Sequence, residues 1–92
     1  MTDLRKKARG RGCQVRLPEV CNHNSETVVL AHVRLSGISG FGLKSPDILG
    51  AWACSACHAY ADSHHDDATN AAFAEGVYRT LNILWREGVL RT

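Results

Sequence analysis

The sequence predicts a small α+β domain with one clear strand, two helices in its C-terminal half and a thin apolar core. An apolar, β-branched run at residues 28–35 is typical of a strand. Apolar residues recur with helical spacing after residue 66, and four cysteines occur in only 92 residues. Because a chain of this size buries only about 60 to 65% of its unfolded surface, we expect the cysteines to supply a further cross-link.

Composition and charge exclude several classes of protein. With 45% hydrophobic and 22% charged residues, the chain is typical of a globular domain and not of a disordered one. No stretch approaches the roughly 18 uninterrupted apolar residues of a membrane span. The first twelve residues are basic and polar and lack the apolar segment of a secretory signal. We therefore expect a cytoplasmic protein, no membrane partner and reduced thiols.

Local sequence signals divide the first half of the chain into a basic arm, two candidate strands and a loop. Residues 1–12 are predicted to be a basic N-terminal arm, and residues 13–92 a single domain. Residues 13–21 favour a short strand or knuckle that forms a hairpin with the strand at residues 28–35. Residues 36–46 are rich in glycine and predict a loop, which a short apolar segment at residues 47–53 connects to Cys54.

Two helices complete the prediction. The first begins at Ser55, is favoured by three alanines and frays near residues 63–65. The second begins at Asp66 or its neighbour and ends near Gly88. Its apolar stripe, which we expect to face the core, comprises Phe73, Val77, Leu81 and Leu84. Trp52 and Trp85 are expected to be buried anchors of the core.

The cysteines form two pairs that together suit one zinc ion. Cys54 and Cys57 have the CxxC spacing of a zinc knuckle, whereas seven residues separate Cys13 from Cys21. Four thiolates complete a closed tetrahedral zinc site, and buried free thiols or disulfides are the alternatives. With His58, the second pair also spells the attachment motif of c-type haem. Haem attachment requires export, so we expect no haem.

Histidines are the candidates for chemistry, because a closed four-thiolate site has no position left for water or substrate. His32 lies within the apolar strand, where an imidazole without a role would carry a desolvation cost. The alternative is a structural histidine. His58 and Asp62 are four residues apart, so on a helix they share a face and could bind one cation. The remaining histidines, His23, His64 and His65, are expected at the surface. The alternative for His64 and His65 is that they lie close enough to the site to serve as additional ligands.

Positive charge is concentrated at the start of the chain. Residues 1–16 contain six of the eleven Lys and Arg residues and one of the nine acidic residues. The six are Arg5, Lys6, Lys7, Arg9, Arg11 and Arg16. A mobile arm of this kind suits contact with DNA phosphates that does not depend on base sequence. A solvated terminus that aids solubility is the alternative.

The order of these motifs resembles that of zinc-containing HNH nucleases, which have the ββα-metal fold. More closely, DLRKKARGRGCQVRLPEVCN, VLAHVRLSG and ACSACHAYAD are similar to the YbcO-type family of prophage-encoded nucleases, whose members are of about this length. The resemblance covers nearly the whole chain. It implies a zinc-stapled ββα-metal (HNH-like) domain with an additional C-terminal helix.

The resemblance also implies roles for individual residues. His32 matches the general base, and the four cysteines match the structural zinc ligands. The resemblance also implies a second, catalytic cation, which would be Mg²⁺, Mn²⁺, Ni²⁺ or Zn²⁺. His58 and Asp62 match its ligands on the helix, and Asp47 is an additional candidate ligand. Ala31 stands where many of these nucleases have Asp, and Asp47 is the nearest polar substitute for the middle Asn of the motif.

The expected function is therefore that of a metal-dependent DNA endonuclease of prophage origin. Its partner would be DNA, held mainly through phosphate contacts. A zinc-stapled nucleic-acid-binding accessory module without catalysis is the alternative, and a zinc knuckle that binds protein is a third possibility. The three differ in whether the protein cuts DNA and in whether it binds DNA with a salt-dependent affinity.

Overall fold

The computed structural model describes residues 3–33 and 46–90. In chain order they form helix α1 (Leu4–Ala8), a 3₁₀ helix (Ser25–Thr27), strand β1 (Val29–His32), strand β2 (Gly50–Ala53), helix α2 (Ser55–Ser63) and helix α3 (Asp67–Arg86). The described part of the chain is thus a small α+β fold with one two-stranded sheet. None of its helices has both the length and the apolar content needed to cross a bilayer.

The sheet pairs β1 with β2 in antiparallel register, with Val29 opposite Ala53 and His32 opposite Gly50. The predicted hairpin between residues 13–21 and the strand is therefore wrong. Residues 13–21 bend through turns instead, because Arg16 has a φ of 52° in the left-handed region, which an extended strand does not adopt. Residues 36–45 of the predicted loop, and residues 34 and 35 of the predicted strand, lie outside the described residues.

The core lies between β2 and α3. All four residues of β2 are buried, and Trp52 is 1% exposed, which confirms it as a core anchor. The backbone N–H of Trp52 donates to Thr80 Oγ1 at 3.0 Å, and this bond connects β2 to α3. Trp85, by contrast, is 54% exposed, so its predicted burial is wrong. Its neighbour Leu84 is buried instead, because successive residues of a helix point about 100° apart.

Both predicted helices are confirmed, together with the signals that begin and end them. The Asp66 side chain caps α3 by accepting from the Thr69 N–H at 2.8 Å. After α3, Gly88 has a φ of 77°, and the next N–H, that of Val89, bonds to the Leu84 carbonyl at 3.0 Å. Helix α2 ends at Ser63, where fraying was predicted.

The N-terminal residues differ from the expected mobile arm. The Asp3 side chain caps α1, and Ala8 is fully buried in the core. Arg11 makes a bidentate pair with Glu87 at the end of α3, with Nη2 2.6 Å from Oε1. The Arg11 guanidinium also lies 4.8 Å from the centre of the Trp52 ring. Residues 4–11 are thus held against the core and α3.

Gly76 of α3 lets the segment that carries Cys13 approach the helix. A Cβ at Gly76 would lie 2.8 Å from Val15 Cγ2 and 3.0 Å from Val15 Cα. Since the backbone of residue 15 cannot turn aside, the overlap created by Gly76→Ala costs about 1–3 kcal/mol. The gain in helix propensity offsets roughly 1 kcal/mol of this cost, so we expect the free energy of unfolding to fall by up to about 2 kcal/mol.

Urea denaturation of Gly76→Ala and of a matched control measures this effect. Gly12→Ala is the control, because its Cβ would meet only Gln14 Nε2, at 3.8 Å. The control is expected to change stability much less. Equal stability of Gly76→Ala and the wild type would show that the two segments do not pack this closely.

Candidate metal centre and histidine site

The four cysteines, far apart in the sequence, converge on one point. The Sγ atoms of Cys13, Cys21, Cys54 and Cys57 all lie within 4.8 Å of one another. Cys21 Sγ and Cys54 Sγ are 3.8 Å apart. This separation matches the edge of a tetrahedron whose centre lies about 2.3 Å from each sulfur, the usual Zn–S distance. The four thiols could thus hold a metal ion such as zinc.

The local folding of two segments brings the sulfurs together. Cys54 caps α2 and Cys57 lies one turn later, with the Cys57 N–H donating to Cys54 Sγ at 3.4 Å. Between Cys13 and Cys21 the chain makes turns, in which the Cys21 N–H bonds to the Leu17 carbonyl at 3.0 Å. These turns bring together a pair whose spacing is wider than that of an ordinary knuckle.

Backbone N–H groups aimed at the sulfurs favour the thiolate form. Burial acts to raise the pKa of Cys54, but the N–H groups of Cys57 and Asn22 outweigh it and lower that pKa to about 7. Burial raises the pKa of Cys57, so this thiol stays protonated unless a metal ion replaces its proton. The donor set fits a soft divalent cation that binds thiolate sulfur.

The second candidate site is built around His32, and its shortest contact joins His32 to Asp47. Asp47 Oδ1 lies 2.6 Å from His32 Nε2 and 3.4 Å from Arg5 Nε. A carboxylate can only accept, so Nε2 carries the proton and Nδ1 is the basic nitrogen of the neutral ring. The hydrogen bond from His32, with Arg5 adding to it, lowers the pKa of Asp47 below its usual value. Asp47 is thus held as an anion against the imidazole.

The other two predicted cation ligands lie on α2. His58 Nε2 and Asp62 Oδ2 are 3.6 Å apart, as their i, i+4 spacing predicts. Asp62 and His32 also line one cavity of about 120 Å³, whereas His58 is not among its lining residues. His65 is exposed, as predicted, but it lines the same cavity. This position, two residues after the end of α2, agrees with the alternative that His65 lies close to the site.

The six basic residues of the N-terminal segment divide into groups. Arg11 is occupied by Glu87, and Arg16 Nε donates to the Cys13 carbonyl at 3.1 Å. Exposed on or beside α1 are Lys6, Lys7 and Arg9. Arg5 is also exposed, and its contact with Asp47 brings α1 next to His32. Of the six basic residues of this segment, Arg5 is thus the one that the structure places at the His32–Asp47 pair.

Comparison with known proteins identifies the family of the chain. The model of the family described as "Putative nuclease YbcO" matches residues 2–89. Proteins called "Putative nuclease YbcO", from Escherichia coli strain K12, and "Putative nuclease ybcO", from Enterobacteria phage 82, are each 54% identical over 99% of both chains. A solved structure titled "Structure of a putative bacteriophage protein from Escherichia coli str. K-12 substr. MG1655" is 47% identical, with a TM-score of 0.75 over 94% of this chain and 100% of the other. The chain therefore belongs to the YbcO family.

Proposed function

We propose that the protein is a metal-dependent DNA endonuclease of the HNH type and of phage origin, with His32 as its general base. The hydrogen bond that holds His32 against an ionised Asp47, beside a cavity, is the observation that carries the proposal. The order β1, β2, α2, with His32 on the first strand and His58 on the helix, agrees with the ββα-metal arrangement. The nuclease name of the relatives and the phage source of one of them support the same function.

In this mechanism Asp47 fixes the tautomer and orientation of His32, so that Nδ1 is free to accept a proton. His32 removes a proton from a water molecule as the water oxygen attacks a backbone phosphorus. The bond from phosphorus to the 3′ oxygen breaks as the new bond to the water oxygen forms, and the leaving oxygen takes a proton from solvent water. The products are a 5′-phosphate and a 3′-hydroxyl, as the resemblance to HNH nucleases implies.

His58 and Asp62 would bind the catalytic cation, since imidazole nitrogen and carboxylate oxygen are both ligands of divalent cations. Among the described residues, the cysteines are the one group of three or more side chains placed to ligate a metal. A cation held by His58 and Asp62 would supply positive charge near the phosphate and the leaving oxygen.

Zinc on the four cysteines would have a structural role in this mechanism. Four thiolates occupy every position of a tetrahedral ion and leave none for water or phosphate. The site connects residues 13–21 to the start of α2, and β2 ends directly before it. Zinc would thus fix the framework that positions the histidine site.

DNA would be held through its phosphates by the exposed basic side chains of α1 and its flank. Arg5 lies beside Asp47, so a strand that contacts α1 passes close to His32. These contacts release counterions and do not read base sequence. The affinity for DNA is therefore expected to fall steeply as the salt concentration rises.

Replacing Asp47 with asparagine is expected to slow DNA cleavage on the order of 100-fold, because a misplaced base costs a rate of about this size. The amide lacks the charge that orients His32 and can present its N–H to Nε2. Since Asp47 acts on His32 in this account, the cation concentration at half-maximal rate should stay unchanged. A rise in that concentration, with full activity restored by excess cation, would instead make Asp47 a cation ligand.

Nicking of supercoiled plasmid tests the proposed function. The zinc-loaded protein is incubated with plasmid and with Mg²⁺, Mn²⁺, Ni²⁺ or further Zn²⁺ in turn, and the ends of the nick are analysed. We expect nicking with at least one added cation and a 5′-phosphate at the nick. Salt-dependent DNA binding without nicking under any of these cations would contradict the proposal and favour the non-catalytic binding module.

A further inference from the structure

The cavity beside His32 is small, half open to solvent and bordered by three elements. It lies between the end of β1, the end of α2 and the first two turns of α3. Its volume of about 120 Å³ is well below the roughly 300–1,000 Å³ of sites that take drug-sized ligands. The space therefore suits one nucleobase and not a whole nucleotide.

The lining of the cavity offers both apolar and polar groups to a base. Val33, Phe73 and Ala74 are among its apolar lining residues. Asn70 and His65 add polar groups, and Asn70 Nδ2 lies 3.4 Å from the His65 carbonyl. An amide side chain can both donate to and accept from the edge of a nucleobase, and an aromatic side chain can stack on its face.

A phosphate group fits the apolar part of this cavity poorly, because the side chains of Val33, Phe73 and Ala74 cannot replace the water that surrounds a phosphate. A base has no net charge and has apolar faces, so it can enter. Because His32 forms part of the wall, a base in the cavity would place its own backbone phosphate near the imidazole.

We infer that the cavity binds an unpaired nucleobase of the DNA next to the bond that is cut, an inference that rests on the proposed nuclease function. A base stacked inside a duplex cannot reach a cavity, and taking it out of the stack is least costly where it is already unpaired. The substrate class is therefore DNA with a bulged, mismatched or single-stranded nucleotide. The cavity selects such sites, and the basic residues of α1 hold the neighbouring backbone.

Binding to two oligonucleotide duplexes, without added divalent cation, tests this inference separately from cleavage. One duplex carries a single bulged 2-aminopurine, and the other carries the same base paired with thymine. We expect the wild type to bind the bulged duplex about tenfold more tightly, the size of effect that stacking of one base on an aromatic side chain produces. The fluorescence of 2-aminopurine should also change on binding in the bulged duplex.

Two variants and a control assign the preference to the cavity. Ala74→Leu fills the cavity, and Phe73→Leu removes the ring but keeps an apolar side chain. Both should lose the preference for the bulge while still binding the paired duplex. Ala71→Leu makes the same exchange as Ala74→Leu at an exposed position of α3 and should retain the preference.

The outcomes separate this inference from the proposed function. Equal affinity of the wild type for both duplexes, or a preference that survives Ala74→Leu or Phe73→Leu, would overturn the cavity inference even if the protein nicks DNA through His32. A preference for the bulge that both variants abolish supports the inference. A loss of nicking in every cation would count against the proposed function alone.

Discussion

Replacing Cys57 with serine is expected to unfold the protein at room temperature. The four cysteine sulfurs converge from residues 13, 21, 54 and 57, so a zinc ion there connects the N-terminal segment to α2. Zinc in small modules is worth roughly 10–16 kcal/mol of apparent binding free energy at neutral pH, and whole domains are stable by only about 5–15 kcal/mol. Losing the ion therefore removes more free energy than the remaining core supplies.

Circular dichroism and zinc analysis of the reduced protein measure this effect. We expect one zinc per chain in the wild type and loss of the folded signal after a strong chelator is added. Ala59→Ser is a suitable control for Cys57→Ser, because it places a serine on the same helix at an exposed position. A wild type that holds well under one zinc per chain and melts at the same temperature with and without chelator would refute the zinc site.

Replacing His32 with alanine is expected to slow DNA cleavage by about 10²–10⁴-fold, the usual contribution of a positioned general base. His32 lines the cavity, and its Nε2 lies 2.6 Å from Asp47 Oδ1. Replacing it with alanine therefore removes the general base and leaves Asp47 without an imidazole to orient. The side chain is partly exposed at the end of β1, away from the buried centre of the sheet. The folded structure and the zinc content should therefore survive the change.

The parts of the fold that local signals determine were predictable from the sequence. Asp66 and Gly88 mark the two ends of α3, and the CxxC pair marks the start of α2, because capping depends on a few neighbouring residues. Strand β2 was not predicted. It contains Gly50 and small alanines and is buried at every position, so it shows neither alternation nor β-branched residues. Its pairing with β1 joins residues far apart in the chain.

The chemistry of the site was only partly predictable, for a similar reason. His32 was identified as a candidate because an imidazole within an apolar strand is unusual. Its contact with Asp47 spans fifteen positions and depends on the pairing of β1 with β2, which the sequence does not reveal. The sequence predicts Arg11 as a phosphate ligand, but in the structure its guanidinium forms an ion pair with Glu87, which lies far away in the sequence. A count of basic residues could not show which of them are occupied.

The rate of plasmid nicking by His32→Ala, compared with that of His64→Ala, tests the central claim most directly. His64 is an exposed histidine of the same chain that stacks on Tyr60, and it is not among the residues that line the cavity beside His32. Both variants are first shown to hold zinc and to bind DNA as the wild type does. The account predicts that His64→Ala nicks at about the wild-type rate and that His32→Ala is slower by at least about 100-fold. Equal rates for the two variants would contradict the assignment of His32 as the general base.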